Sequence, residues 1–257
     1  MFKLPVPSID DKPEAVFFCA RDGYIVQRVY DALAATCKAP PSKYLMVSRR
    51  ALVVPTFTSL GPGEIGYLTG NRIPISVRQC LERIGLRPED CTETIRAAGL
   101  LPETVIWAAH ERSQMRGLLS ALEPQILVYF AKERDLLVKY LRQMGCCEAQ
   151  QIDMCDLGWN ASLQMALVRT LSDLNPGLFI RGFYYATFSR AQDKLAGLKT
   201  QARGMLADTG KPAGVCGLLD DGKDVIELMF TAPHGSVLGY EEESRSRAVS
   251  NRSSAPR

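Results

Sequence analysis

Histidine is scarce in this chain, with only His110 and His234 among 257 residues, and none of the eight cysteines forms a Cys-x-x-Cys pair. Structural zinc sites draw on such spacings, so a zinc-stapled fold is not expected. Charge imbalance is small too. The 31 basic and 28 acidic residues leave a formal +3, whereas a dedicated nucleic-acid binder gathers clear basic excess on one domain. Apolar runs of the roughly 20 residues that cross a bilayer are missing, so no membrane span is expected. The opening "MFKLPVPSIDDKP" has prolines and acidic residues where a signal peptide keeps its apolar segment. Several cysteines sit inside apolar runs, as in Phe18-Cys19-Ala20 and Met154-Cys155-Asp156, where a thiol behaves as a small buried hydrophobe. We therefore expect a cytoplasmic protein without a disulfide framework.

What is present is a globular composition, 46% hydrophobic and 23% charged, enough for one large α/β core. "AVFFCA" reads as a buried strand from Ala15, followed by a turn at Gly23 and a helix from Tyr24 to Thr36 with Ile25, Val26, Val29 and Leu33 at helical spacing. "KYLMVS" is a second strand from Lys43, so the two form a βαβ crossover. Phe57 to Asn71, rich in glycine and threonine, reads as loop. A helical stretch follows to about Met144, its last helix stopped by Gly145. Strands from Gln150 and Leu178 resume the opening grammar, with Ser162 as candidate N-cap of the intervening helix. Val225 to Thr231 reads as a last short strand or helical turn. The expected fold class is α/β: a three-layer, mainly parallel, Rossmann-like sheet with a helical insertion. Its organisation is a leader over 1–14, an α/β domain over 15–240 with the insertion at about 72–146, and a disordered tail over 241–257.

In parallel α/β sheets ligands bind beyond the carboxyl ends of strands. Here three strands end in polar groups: Arg21-Asp22-Gly23, Ser48-Arg49-Arg50, and Asp156 with Gly158, Trp159, Asn160 and Ser162. Free N–H groups at the Asn160-Ala161-Ser162 turn suit a phosphate, arginines grip the same anion, and Asp22 and Asp156 suit Mg²⁺ or sugar hydroxyls. The expected ligand is a phosphorylated sugar or nucleotide sugar, with Asp22 and Asp156 as the catalytic and metal-holding carboxylates. Plainer readings stand beside these: a salt bridge from Asp22 to Arg21 or Arg49, a capping role for Asp156, packing for Trp159 and Tyr184-Tyr185, and an Arg50 that points into solvent. His234 reads as structural, His110 as surface, and Cys146-Cys147 as reactive only if exposed.

Taken together, "FFCARDGYIVQRVYDAL", "YLMVSRRAL", "DLGWNASLQ" and "ELMFTAPHGSVLGY" resemble the region that follows the haloacid-dehalogenase-type (HAD) hydrolase domain in bacterial proteins encoded with surface-polysaccharide glycosyltransferases. The resemblance implies a HAD-associated α/β domain acting in polysaccharide biosynthesis, with a HAD hydrolase domain or a glycosyltransferase as partner. The Asp-x-Asp motif that supplies a HAD nucleophile is missing at the first strand, which ends Cys19-Ala20-Arg21-Asp22, and Asp153 and Asp156 are three apart. The family's phosphatase chemistry is thus expected outside this chain. "DMCDLGWNAS" is also similar, more weakly, to the diphosphate-sugar loop of type I phosphoribosyltransferases, without its adjacent acidic pair. A transferase of that kind and a non-catalytic binding or scaffold module are the alternatives.

Overall fold

The computed structural model describes residues 13–36, 38–70, 74–208, 213–242 and 247–250. In chain order its elements are β1 (Val16–Cys19), α1 (Gly23–Ala34), β2 (Ser42–Leu45), α2 (Arg49–Val53), α3 (Pro62–Thr69), β3 (Ile75–Ser76), α4 (Val77–Arg83) and α5 (Thr92–Ala97). There follow β4 (Val105–Ile106), α6 (Ala109–Ala121), α7 (Glu123–Gln143), β5 (Gln151–Trp159), α8 (Ser162–Ser172), β6 (Phe179–Thr187), α9 (Ser189–Leu195), β7 (Thr200–Ala207), α10 (Ala213–Phe230), β8 (Val237–Glu241) and β9 (Arg247–Ser250).

Val16, Phe17, Phe18 and Cys19 are all buried, as a continuous apolar run requires of a central parallel strand. The sheet runs β2-β1-β5-β6-β7, with every neighbouring pair parallel. It is the core of a three-layer, Rossmann-like α/β fold. On α8, Leu163, Ala166, Leu167 and Leu171 are buried at the spacing that marks the inner face of a helix. α1 departs from its pattern: Ile25, Val29 and Leu33 are exposed, and the helix meets the sheet through Tyr30, whose ring lies 5.2 Å from Phe18, and Gln27, which donates to Ser42. Its close seat is set by Gly23, where a Cβ would fall 3.0 Å from the Phe18 carbonyl carbon.

The chain divides into two compact units, Met1–Val53 with Leu136–Arg257, and Val54–Asp135. The second unit starts at Val54 rather than near 72, and it has its own core around Leu81, Ile95, Met115, Leu118, Ile126 and Phe130. Two stretches in it differ from expectation. Phe57 to Asn71 contains α3, started by Pro62 at its first turn, and the helical region contains the antiparallel pair β3-β4. In the first unit, the segment that opens with Thr200 forms the fifth strand β7, and Val225 to Phe230 belongs to the long helix α10. Of the tail expected to be disordered, Arg247–Ser250 pairs with β8 as β9, while 243–246 and 251–257 lie outside the described residues, as do 1–12 of the leader. Among the described residues no helix is long and apolar enough to cross a membrane.

Candidate functional site

Because β2 lies on one side of β1 and β5, β6 and β7 on the other, the strand order reverses beside β1. Loops leaving adjacent strands at such a point diverge and open a crevice at the carboxyl ends. A cleft of roughly 150 Å³ lies there, walled by Arg21, Asp22, Ser48, Arg49, Asp156, Gly158, Trp159, Asn160 and Ser162. β1 and β5 pair directly, Phe18 opposite Cys155, which brings Asp22 and Asp156 together from distant parts of the chain.

Local geometry decides what each residue has left to offer. Asp22 is the N-cap residue of α1, yet its side chain makes no capping bond, and its Oδ1 is buried without a hydrogen-bond partner. The Ser48 hydroxyl is committed: it accepts from Ala51 N–H at 3.0 Å and donates to the Val237 carbonyl at 2.7 Å. Gly158 is required by its surroundings, since φ is +155° and a Cβ would lie 2.5 Å from the Ala186 carbonyl oxygen.

Four expectations are corrected. Arg50 points neither into the cleft nor free into solvent, because its guanidinium donates to the Leu238 carbonyl. Gly23 is a packing glycine outside the cleft walls. Trp159 is buried, stacked on Phe188 at 5.4 Å, with its indole N–H donating to Glu227 at 2.8 Å, so it offers an edge and no free face. Ser162 is the first helical residue and not the N-cap. Ala161 holds the N-cap position in the left-handed region, φ 51°, and Ser162 Oγ accepts from Lys194 at 2.5 Å.

The site carries charges of both signs. Burial first, and then the nearby Asp22 carboxylate, push Asp156 up to about 7, against the opposing pull of the Leu157 N–H bond and Arg49. Asp22 is also raised, by burial and then by Glu227, with Arg21 and Arg49 opposing. Glu227, from α10, is thus a third carboxylate of the cleft. Sequence reasoning missed it, since a helix-borne glutamate so far along the chain carries no local signal. The same holds for Lys194. It reaches Ser162 of the wall from α9, and its pKa is lowered by burial, then by Arg49 and Arg190.

The chain matches no family model and no curated protein. The cleft itself is therefore the guide to its chemistry. Among the described residues no group of three or more His, Cys, Asp or Glu side chains has the arrangement of a metal cage. Mg²⁺ takes one or two carboxylates and completes its shell with water and substrate oxygens, so the mutually repelling pair Asp22 and Asp156, with a buried unpartnered Oδ1, fits that mode of binding.

The remaining candidates do not wall the cleft. His234 has Nδ1 2.9 Å from the Gly235 carbonyl, which only accepts, so Nδ1 carries a proton, and its Nε2 lies 2.9 Å from the Tyr44 hydroxyl. His110 is exposed beside Glu111. Cys146 and Cys147 are buried, and burial raises both thiols, which suppresses the reactive thiolate. A larger cavity of about 340 Å³ lies between α9 and β7, lined by Thr187, Ala191, Gln192 and Asp208 among others. It lacks the paired carboxylates and arginines of the smaller cleft.

Proposed function

We propose that the cleft binds a phosphorylated sugar or nucleotide sugar, with Asp22 and Asp156 holding Mg²⁺ or the ligand's hydroxyls and Arg21 and Arg49 facing its phosphate. The observation that carries this reading is the buried, unpartnered Asp22 Oδ1 beside an Asp156 shifted to about 7, at the point where the strand order reverses. Two carboxylates held this close repel unless a proton, a cation or a hydroxyl lies between them. A magnesium ion there would neutralise phosphate charge and fix its orientation. Asp156 itself, titrating near neutrality, is equipped to take or give a proton at a bound hydroxyl.

The implied partners are enzymes that make or use nucleotide sugars, a glycosyltransferase or a HAD-type hydrolase domain. This assignment rests on the sequence motifs. A reducing, cytoplasmic setting accords with the free thiols of Cys19, Cys80, Cys91, Cys146, Cys147 and Cys155. The test is a thermal-shift panel of sugar phosphates, nucleotide sugars and phosphoribosyl diphosphate, each with and without Mg²⁺. A ligand at 100 times its dissociation constant adds about 2.7 kcal/mol of stability. We expect a Mg²⁺-dependent shift with at least one phosphorylated sugar. A panel without any shift overturns the reading.

A further inference from the structure

We propose that Lys194 of α9 and Arg49 of α2 form a cationic clamp that seats a phosphoryl group of the ligand beside Ser162, and so set the orientation in which the ligand lies. This rests on the phosphosugar reading and extends it to Lys194, which the strand-end motifs do not include.

The geometry comes from three elements that meet. α2 and α9 both pack against α8. Ser162, the first residue of α8, is in the cleft wall, and Lys194 Nζ reaches its Oγ at 2.5 Å. An ammonium has three hydrogens, so one goes to Ser162 and two remain for ligand oxygens. The Ser162 oxygen accepts that bond, which leaves its own O–H as a further donor.

The charge pattern points the same way. Lys194 is half-buried, feels Arg49 and Arg190 as its charged neighbours, and gains no compensation from a carboxylate. Among the described residues neither Arg190 nor Lys194 takes part in an ion pair. Arg49 and Arg190 are exposed. Like charges held near the half-buried Lys194 raise its free energy, and a bound dianion removes that cost. Arg49 also acts on Asp22 and Asp156, and it shares the cleft wall with them and with Glu227. Those three carboxylates repel an anion. A ligand with a phosphate at one end and hydroxyls at the other therefore has one favourable orientation. Two cations and a hydroxyl with several donors suit a phosphate dianion or diphosphate better than a carboxylate, which brings one charge and two oxygens.

The experiment is calorimetric titration of a sugar 1-phosphate and of inorganic pyrophosphate into the wild type, Lys194→Ala and Lys194→Arg. We expect Lys194→Ala to bind both at least about tenfold more weakly and with a shallower dependence on salt, and Lys194→Arg to recover most of the affinity. Unchanged affinity and salt dependence in Lys194→Ala overturn the clamp while leaving the phosphosugar reading in place. A second measurement covers failure of that reading or of folding: acetylation of Lys194 in the wild-type protein, followed by mass spectrometry with and without pyrophosphate. Protection of Lys194 supports the clamp as an oxyanion site even if no sugar phosphate binds, and equal acetylation overturns it.

Discussion

Asp153 and Asp156 sit on one strand, three residues apart, and alternation of side chains along a strand sends them to opposite faces. Asp153 is buried and receives a two-point grip from Arg181, Nε to Oδ1 at 2.7 Å and a terminal guanidinium nitrogen to Oδ2 at 2.6 Å, across the register pair that joins β5 to β6. Removing one charge of such a pair leaves the other poorly compensated inside, so Asp153→Asn is expected to cost about 3–5 kcal/mol and to leave any ligand-induced shift unchanged. Asp156→Asn should do the reverse. Its Oδ1 accepts from Leu157 N–H, and an asparagine keeps an oxygen for that bond. Folding raises Asp156 from 3.8 to about 7, so between those values the native state holds a proton that the unfolded chain has released. Stability from this group is therefore present at low pH and falls as pH rises through that window. Asp156→Asn should flatten the decline, melt above the wild type on the alkaline side of the window, and lose the response to Mg²⁺ and sugar phosphate. Melting curves taken from about pH 5 to about pH 8 check this, and parallel pH dependences for wild type and variant count against it.

Among the elements, the β5-α8 turn carries the tightest backbone constraints. Ala161 is buried and left-handed, a conformation that costs a residue with a Cβ on the order of 1–2 kcal/mol. Ala161→Gly relieves that cost and loses a small contact in the cluster with Tyr184 and Ala191, so its stability should stay within about 1 kcal/mol of the wild type. Ala161→Val, β-branched in a left-handed position, should lose more than about 2 kcal/mol. Urea denaturation of the two variants decides it, and a valine variant as stable as the glycine one would contradict the turn geometry. The elements also show what was legible in the sequence. β1, β2, β5 and β6 start within about one residue of the positions read from apolar runs, because strands laid into a covered parallel sheet carry a dense hydrophobic signature. β7 does not, since Met205 and Leu206 are both exposed and "TQARGMLA" follows no strict alternation. Only a fragment of α10 is legible, because Gly217 and Gly222 interrupt its pattern and its Leu218, Val225, Leu228 and Met229 are exposed. The cleft was legible wherever a strand end supplied its residues. Glu227 comes from a helix, and only tertiary packing brings it to the wall, as it brings Lys194 to Ser162.

At the scale of the whole molecule, the first unit is assembled from two separate stretches of chain, and the second is inserted between them in sequence with a core of its own. All the residues that wall the cleft belong to the first unit. The pairing of β1 with β5 joins its two stretches and carries Asp22 to Asp156, so the site exists only when that long-range pairing is made. Binding should accordingly stabilise the first unit directly. A ligand that binds only the native state lowers the population of openings that expose its site, and amide hydrogen exchange reports those openings segment by segment. With a saturating sugar phosphate and Mg²⁺, exchange should slow at the β1-α1 turn, at α2 and at the β5-α8 turn. In α4, α5 and α6 it should stay as it is without ligand. Protection centred on those three helices would place the ligand in the inserted unit and remove the basis for assigning the cleft.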